Sequence, residues 1–391
     1  MTSGSGQPVP AVPRDPARTP VATAERRIHI PRVTAAGAAT IGGSAAGALG
    51  LTWVLYERVL PFTGVLGFWV SWYLVFMLLY AAMAVIQWDR MEAANRLTSV
   101  LFGTGGALAL AIVVVVVAYS LAKGWTAVRH LHFLTQTMEF ASPTSPLRDG
   151  GVLGAMVGSL EQLGLATVFS VPLGLTGALF LASDAGGVLA RPVRVIVEAM
   201  TALPDLVAGL FIYSLFILSL PSLGFEFSGI LAALAISVTM MPIIVRSAEV
   251  VIRLVPGTLR EASYALGGSQ WRTAWNVILP TARSGLVTAV VLAMARGIGE
   301  TAPVLLTAGF TNDLNLNPFS GPQINLPLYI WNYVHVVGEV PADFSRGFGA
   351  GFVLVVVVLI LFTIARVLGG APPGQLSRRQ RRQLRRSVVR P

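Results

Sequence analysis

Long uncharged runs limit the fold of this chain more than any other feature of its sequence. An α-helix crosses a bilayer with about 20 predominantly apolar residues, because it satisfies its backbone hydrogen bonds internally. Seven runs reach this length without a charged residue: Val33–Tyr56, Gly64–Trp88, Val100–Ala122, Gln162–Ser183, Leu206–Phe225, Phe227–Val245 and Gly347–Ala365. An eighth run, 286–310, contains only two charges, Arg296 and Glu300. The sequence therefore predicts an all-α membrane protein, a polytopic bundle of about eight transmembrane helices, whose fourth and fifth helices begin near Leu153 and Val193.

The composition agrees with a membrane protein and excludes several kinds of site. Only 12% of the 391 residues are charged, against about 25% in a typical soluble domain. The chain has no cysteine, which excludes disulfides and thiolate metal sites. His130 and His132 would not share a helix face, so we expect no metal site. No Ser/His/Asp arrangement or pair of catalytic carboxylates stands out, and we expect neither a catalytic residue nor a cofactor.

The single lysine decides where any ATP hydrolysis must take place. A phosphate-binding Walker A loop requires Gly-Lys-Ser/Thr. The only lysine is Lys123, and Ala122 precedes it. The chain therefore cannot hold ATP in this way, and an ATP-driven function would need a separate ATPase subunit.

The distribution of basic residues predicts the orientation in the membrane. Eight helices place both termini on the same side, and cytoplasmic segments carry an excess of Lys and Arg. With both termini cytoplasmic, 22 of the 28 basic residues lie in the inner segments 1–32, 89–99, 184–194, 246–284 and 366–391. The C-terminal stretch “SRRQRRQLRR” is then expected to contact anionic lipid headgroups. Nucleic-acid binding is not expected, although the net charge is +10.

The longest inner loop, 255–282, has the pattern of two short helices. It is too polar for the bilayer, and Gly267 and Gly268 interrupt its helical spacing. Ser269 suits the N-cap of the second helix, which is expected to stop at Pro280. A helix–turn–helix in this place is a candidate docking surface for a soluble partner. The alternative is an ordinary amphipathic surface helix.

This loop resembles the EAA loop of ABC importer membrane subunits, whose pattern is E-A-A-x3-G-x9-I-x-L-P. The matching positions are Glu261, Ala262, Ser263, Gly267, Val277, Leu279 and Pro280. Ser263 replaces alanine and Val277 replaces isoleucine, while the spacing is intact. The resemblance implies that the first short helix docks in a groove of the ATPase subunit and transmits its closure. It also implies that the glycine forms the turn and that the glutamate anchors the loop.

The flanking sequence is similar to the phosphate-specific permease family of PstA type. The most distinctive match is “LAMARGIGETAPVLLTAG” at 292–309, which contains the motif R-x-x-G-E-T-A-P. The segments 133–140, 202–216 and 240–267 also resemble that family. The resemblance covers roughly residues 100–368. It implies a type I ABC importer (MetI-like) permease core, preceded by two extra helices about which the family says nothing.

The expected organisation and partners follow from this resemblance. The parts are a disordered cytoplasmic tail (1–32), two extra transmembrane helices (33–99), the ABC importer transmembrane domain (100–368) and a basic cytoplasmic tail (369–391). The implied location is the bacterial plasma membrane. The implied partners are a second homologous permease, an ATPase dimer, an extracytoplasmic phosphate-binding protein, inorganic phosphate and membrane lipids.

Two outer segments are long enough to receive such a binding protein. They are 123–152 and 311–346, and both carry several aromatic residues. The alternative interpretation of these residues is an interfacial aromatic belt.

Arg296 and Glu300 are the main candidates for a substrate path. Ionisable residues inside a membrane are costly and face the bundle interior or a water-filled path. Arginine matches the geometry of phosphate oxygens and stays charged at any working pH. Gly297 and Gly299 leave room for close approach, and Pro303 is expected to bend or open the helix. The alternative is a purely structural ion pair within one helix.

Arg246 and Glu249 form a second candidate pair for the path, near the inner end of the sixth helix. The alternative is that Arg246 extends to the membrane interface. Glu161, Glu198 and Asp205 are interpreted as helix-end or interface residues.

The sequence thus favours the membrane-spanning subunit of an ATP-driven phosphate importer, without covalent chemistry of its own. An ABC permease for another oxyanion is the first alternative. A stand-alone secondary anion carrier or channel is less favoured, because it needs no ATPase docking loop. A signalling or scaffold protein is supported only by the basic tail.

Overall fold

The computed structural model describes residues 35–59, 64–141, 145–183, 187–220, 222, 224–336 and 341–369. The expected tails, 1–32 and nearly all of 369–391, lie outside the described residues. The chain divides into two compact units, 1–112 and 113–391. The four-part division expected from the sequence remains a prediction.

The described residues form helices and no strand. The helices are α1 Ala35–Val54, α2 Val65–Gln87, α3 Arg90–Val128, α4 Leu131–Thr135, α5 Leu153–Ala182, α6 Gly187–Ala202, α7 Asp205–Tyr213, α8 Gly229–Arg253, α9 Gly257–Ala265, α10 Gln270–Thr273, α11 Leu279–Gly297, α12 Ala302–Thr307, α13 Leu326–Trp331 and α14 Pro341–Gly369. Wider π-type turns extend α1 to Val59, extend α7 to Leu218, join α10 to α11 and follow α13.

Seven of the described helices are long and apolar enough to cross a membrane, or eight if α6 and α7 together form one span. This agrees with the all-α polytopic bundle that the uncharged runs predict. The fourth predicted helix begins at Leu153, as expected. The chain is a multi-pass membrane protein.

The fifth predicted helix differs from the expectation. The run Leu206–Phe225, extended back to about Val193, was expected to form one helix. Instead, α6 and α7 meet at a 104° bend. Pro204 has extended backbone angles, φ −60° and ψ 137°, and the residue before a proline disfavours the helical conformation. The bend therefore lies at 203–204, inside the predicted span.

The smaller unit contains a hairpin of α1 and α2. Ala48, Phe76 and Tyr80 form its buried cluster. The Trp72 indole donates to the backbone oxygen of Ala45 at 3.1 Å. Interhelical hydrogen bonds of this kind stabilise helix pairs in lipid, where apolar burial gives little net driving force.

Helix α8 is the centre of the larger unit. Its buried positions include Ala232, Ile236, Met240 and Ile244, which pack among residues of α5 and α11. Small residues on α8 allow the neighbouring backbones to approach, which is how helices associate inside a bilayer. Helices α6, α7 and α11, which carry Glu198, Asp205 and Arg296, all contact α8.

The second helix of the loop 255–282 does not stop at Pro280, contrary to the prediction. It continues through a π-type turn into α11 and forms one span, Gln270–Gly297. In this turn the Leu279 N–H bonds to the Ala274 oxygen, five residues back. Proline normally clashes with the carbonyl four residues before it. The widened turn ends at Ile278, two residues before Pro280, which then occupies an early position of α11 that tolerates it.

Candidate functional site

Arg296 lies at the end of a helix. The apolar run 286–310 predicts instead that it lies inside one. Helix α11 ends at Gly297, and α12 begins only at Ala302. Between them the chain tightens: the Gly299 N–H bonds to the Arg296 oxygen at 3.0 Å. The helix is interrupted at 298–301, just before Pro303, where the sequence predicts a bend or an opening. Gly297, the last residue of α11, is buried, and Gly299, inside the break, is exposed.

A carboxylate that the sequence did not single out is the closest partner of Arg296. The Arg296 Nη2 donates to Asp205 Oδ1 at 2.7 Å and to Oδ2 at 2.6 Å. The Arg296 Nε lies 3.5 Å from Glu300 Oε1. The predicted Arg296–Glu300 contact therefore forms, and a third charge joins it from 91 residues away along the chain.

Two helix breaks bring these charges together. Asp205 is the first residue of α7, directly after the bend at Pro204. Arg296 lies in the last turn of α11. A carboxylate at a helix N-terminus and a cation at a helix C-terminus are both stabilised by the helix dipole. The interpretation of Asp205 as a simple helix-end residue was therefore incomplete, because the same position also places it against Arg296.

Close packing fixes the two broken helices against each other. Gly209 of α7 lies so near α12 that an added Cβ would be 2.5 Å from the Pro303 Cα and 3.0 Å from its oxygen. Only a glycine permits this approach without displacing backbone. The break after Arg296 and the bend before Asp205 are therefore parts of one packed arrangement.

A cleft of about 210 Å³ opens beside these charges. Asp205 and Arg296 line it, together with Thr201, Thr239 and apolar residues of α6, α7 and α8. The Arg296 side chain is 48% exposed, whereas that of Glu300 is 8% exposed. An arginine exposed to hydrocarbon would be costly, so this face must meet water or another subunit. The guanidinium can offer hydrogen bonds to an oxyanion there.

The second candidate pair does not form as expected. Arg246 lies 3.7 Å from Glu198 of α6. Glu249 instead pairs with Arg253 at 2.8 Å and with Arg194 at 3.2 Å. Residues three apart are neighbours on a helix surface, but here each finds a partner of opposite charge elsewhere. Glu198 is thus an ion-pair partner as well as a helix-surface residue.

Glu161 also has a specific partner. It lies within α5 rather than at a helix end, and its Oε2 accepts a hydrogen bond of 2.5 Å from Gln323 Nε2.

The loop 255–282 folds as the predicted helix–turn–helix. Gly267 has φ +78°, a left-handed conformation that glycine adopts readily. The Ser269 hydroxyl caps the second helix by accepting from the Arg272 N–H at 3.3 Å. The Ser263 and Thr273 hydroxyls contact each other at 2.8 Å and join the two helices.

The residues of the EAA pattern are distributed over both helices of this loop. Glu261 and Ala262 are exposed on α9, while Ser263 and Leu279 are half-buried and Pro280 is exposed.

Two arginines outside the EAA pattern make bonds where the loop meets the helix bundle: Arg260 attaches the loop itself, and Arg253 joins the end of α8 to α5. Arg260 donates to the oxygens of Ala182 at 3.2 Å and Ile252 at 3.0 Å. Arg253 donates to the Leu181 oxygen at 2.7 Å. These carbonyls lie in the last turns of α5 and α8, where the regular intrahelical hydrogen bonds to carbonyl oxygens come to an end. Sequence reasoning missed both arginines, because the acceptors are backbone atoms of distant helices.

The free side of the loop is apolar and aromatic. Leu266, Trp271 and Trp275 are 90%, 68% and 54% exposed. The two tryptophan rings meet edge to face, with centroids 5.6 Å apart. Apolar groups gathered on an exposed polar loop are typical of a protein–protein contact.

One helical rod joins this loop to Arg296. The span Gln270–Gly297 contains 28 residues, which at 1.5 Å per residue corresponds to about 42 Å. Trp271 lies at one end of the rod and Arg296 at the other. Continuous helical backbone therefore connects this loop to the charged cleft.

Comparisons with known proteins place these features in a family. Residues 171–371 match the family described as binding-protein-dependent transport system inner membrane component. The chain is 37% identical over 279 residues to the phosphate transport system permease protein PstA 1 of Mycobacterium tuberculosis, covering 71% of this chain and 90% of the relative. It is 36% identical over 269 residues to PstA of Mycobacterium leprae, covering 69% and 86%.

A further relative and a solved structure are also similar. The probable ABC transporter permease protein YqgI of Bacillus subtilis is 32% identical over 288 residues, covering 70% of this chain and 95% of the relative. A chain of the inward-facing MetNI methionine ABC transporter is similar with a TM-score of 0.42 and 18% identity, covering 61% of this chain and 95% of that chain.

Proposed function

This chain belongs to the family of binding-protein-dependent transport system inner membrane components, and we propose that it is the membrane-spanning subunit of an ATP-driven importer of inorganic phosphate. It would form one wall of the path for phosphate and dock an ATPase subunit on its loop 255–282. Relatives named as phosphate permeases, similar along nearly their whole length, support the substrate class. The observation that carries the mechanism is Arg296, half exposed in the cleft at the end of the rod.

Arg296 supplies the chemistry that an anion path needs. Its guanidinium is permanently charged and donates in a fork that suits two oxygens of one phosphate. Glu300 keeps the site from holding the anion permanently, because its carboxylate competes for the same donor. Arg246 would form a second station, where its exposed side chain guides the anion, while Glu249 holds Arg194 and Arg253 beside it. The chain itself performs no covalent chemistry.

The exposed Arg296 also supports a second permease subunit. In this chain by itself the cleft beside Arg296 is open, and an arginine inside a membrane needs shielding from lipid. A homologous permease packed on this face would complete a water-filled path between the two chains.

The docking loop supports an ATPase partner. Trp271, Trp275 and Leu266 would enter a groove of the ATPase subunit, and Glu261 would contact its rim. Because the rod begins in this loop, closure of an ATPase dimer would be transmitted to Arg296. The extracytoplasmic binding protein would dock at the end of the bundle opposite the loop 255–282. Phe140 and Phe319 are exposed side chains in the two segments expected there.

The orientation with both termini in the cytoplasm belongs to the same proposal. It places the loop 255–282 on the side where ATP is available, in the plasma membrane of a bacterium. The basic C-terminal stretch would then meet the anionic inner leaflet.

The test is phosphate uptake into vesicles that contain the complete transporter. Arg296→Gln should reduce uptake to background while insertion and assembly remain normal, because glutamine keeps hydrogen-bond donors but loses the charge. Arg283→Gln is the matched control, since Arg283 is an exposed arginine on the same helix. Normal uptake by a correctly inserted Arg296→Gln transporter would contradict the anion path. Uptake of another oxyanion in preference to phosphate would leave the permease assignment in place and change its substrate.

A further inference from the structure

The charged cluster beside the cleft contains two carboxyl groups and one guanidinium. Arg296 contacts two carboxylates, Asp205 and Glu300, so the three side chains sum to one negative charge when ionised. The Arg296 Nη2 is already engaged by both oxygens of Asp205. An anion entering the cleft meets a donor that Asp205 already engages and is repelled by the charge of that carboxylate. An anion therefore gains more from Arg296 once Asp205 has moved away and Nη2 is released.

The geometry indicates which carboxylate can leave. Glu300 follows Arg296 by four residues on the same chain segment and is 8% exposed, so it moves with Arg296. Asp205 is 36% exposed and lies on a different helix. It directly follows the 104° bend between α6 and α7. Relative movement of α7 and the end of α11 separates Asp205 from Arg296 without unfolding either helix.

Resting on the proposed function, we propose that Asp205 is a positioning residue that occupies Arg296 as a built-in competitor and releases it to the transported anion. Movement of the rod that begins in the docking loop frees the guanidinium, and Asp205 returns to it after the anion has passed. Because an anion must displace Asp205 from Arg296, Asp205 also determines which anions can bind there. A multiply charged oxyanion with several acceptor oxygens displaces a carboxylate better than chloride does, since it gains more from the same donor.

The absence of cysteine from the chain permits a direct measurement of charge in the cleft. Thr239 lines the cleft on α8, and Thr239→Cys introduces a single reactive thiol. The complete transporter in nanodiscs is treated with a negatively charged sulfonate and, separately, a positively charged trimethylammonium methanethiosulfonate. Labelling of this chain is followed by mass spectrometry. The ratio of the two labelling rates reports the local electrostatic potential and does not depend on transport.

In this background, Asp205→Asn should raise the ratio of anionic to cationic labelling by about tenfold, because one negative charge disappears at close range in a partly desolvated cleft. Asp205→Glu is the matched control and should keep the original ratio, since it retains the competing carboxylate. An unchanged ratio in Asp205→Asn would overturn the proposal. If Thr239→Cys does not react, Thr201→Cys at the same cleft provides the measurement.

Uptake by the same variants separates this proposal from the function on which it rests. A wild-type transporter that imports no phosphate would contradict the proposed function, whatever the labelling ratio. If the wild type imports phosphate, Asp205→Asn should also make uptake sensitive to chloride, with several-fold stronger inhibition than in the wild type. Equal chloride sensitivity in the two would contradict the role of Asp205 as a competitor.

Discussion

Two arginines of the larger unit, Arg346 and Arg296, show opposite ways of holding a charge. Arg346 is 0% exposed, and its Nη2 donates at 2.9 Å to three backbone oxygens, those of Ser145, Pro146 and Asp149. Arg296 is half exposed and is held by carboxylates of side chains. Backbone oxygens of an ordered segment move only if the segment moves. Carboxylates can be exchanged for another anion, so the first arginine fastens the fold and the second is available to a ligand.

The largest expected effect tests the structural side of this comparison. Arg346→Gln should lower the free energy of unfolding by about 3 kcal/mol, because buried carbonyl oxygens lose a charged donor. The measurement is thermal unfolding of the purified subunit complex, together with the yield of folded protein. Arg148→Gln is the control, since Arg148 is 82% exposed in the same segment and its loss should leave unfolding unchanged. Equal stability of Arg346→Gln and wild type would contradict the fastening role.

The next effect concerns the chemistry of Arg296 itself. Arg296→Lys keeps the positive charge but loses the planar fork that matches an oxyanion. We expect uptake of phosphate to fall by about tenfold, with unfolding changed much less than in Arg346→Gln. Initial rates of uptake at saturating binding protein provide the measurement. Full activity of the lysine variant would mean that charge alone is sufficient and that the geometry of the guanidinium is not used.

A third prediction concerns the packing that holds the two broken helices together. Gly209→Ala places a methyl group within 2.5 Å of the Pro303 Cα, so α7 and α12 must separate. Overpacking of this kind costs about 1–3 kcal/mol and should lower uptake, because it shifts Asp205 relative to Arg296. Gly164→Ala is the control, since a Cβ at Gly164 meets no atom within 4 Å. Uptake and stability equal to those of the control would show that this close approach is dispensable.

A smaller effect is expected at the other end of the rod. Trp271→Ala should weaken binding of the ATPase subunit by about 1–2 kcal/mol, in the range of an exposed aromatic anchor at an interface. Pull-down of the ATPase subunit with the membrane complex measures this. Trp125→Ala should not affect it, since Trp125 is a tryptophan of α3 that is also exposed, at 56%. Retention of the ATPase subunit at wild-type level in Trp271→Ala would remove this side chain from the docking surface.

The smallest expected effect concerns Arg246, the second candidate anion-binding residue of the path, and compares its contribution to uptake with that of Arg296. Arg246→Gln removes an arginine whose closest carboxylate, on Glu198, is 3.7 Å away and exposed. We expect uptake to fall only two- to threefold, on the order of one weak exposed ion pair. The rate should lie between those of Arg283→Gln and Arg296→Gln. A loss as large as that of Arg296→Gln would make Arg246 an equal member of the path.

The sequence predicted local features of the site more successfully than distant ones. Arg296, Glu300 and the opening near Pro303 lie within eight residues, and their spacing along one segment was enough to identify them. The turn at Gly267 and the cap at Ser269 were also predictable, because backbone sterics and a single hydrogen bond decide them. Asp205 was missed, since its role depends on a contact 91 residues away. No periodicity or motif in one segment specifies such a partner.

The prediction for Pro280 was wrong for a related reason. A proline usually ends a helix, and the sequence shows no compensating feature. The structure places a π-type turn at Ala274–Ile278. In this turn the Leu279 N–H bonds to the Ala274 oxygen, five residues back, and the helix continues past the proline. The choice between ending and widening depends on how the following residues pack among α5 and α8. A local rule therefore gave the wrong boundary and hid the continuity between the docking loop and Arg296.

The sequence alone determined that this chain is a multi-pass helical membrane protein, that it cannot bind ATP through a Walker A loop, and that its loop 255–282 folds as two helices with a glycine turn. These properties depend on the length of apolar runs, on residue identity and on local backbone sterics. Each of these can be read from a short stretch of sequence without knowledge of distant contacts. Only the tertiary structure decided that the break at Pro204 becomes a 104° bend between α6 and α7, that Asp205 meets Arg296, and that one rod joins the loop to the cleft. Those features result from packing among distant helices, where the free energy of an ion pair or a close contact exists only after the chain has folded.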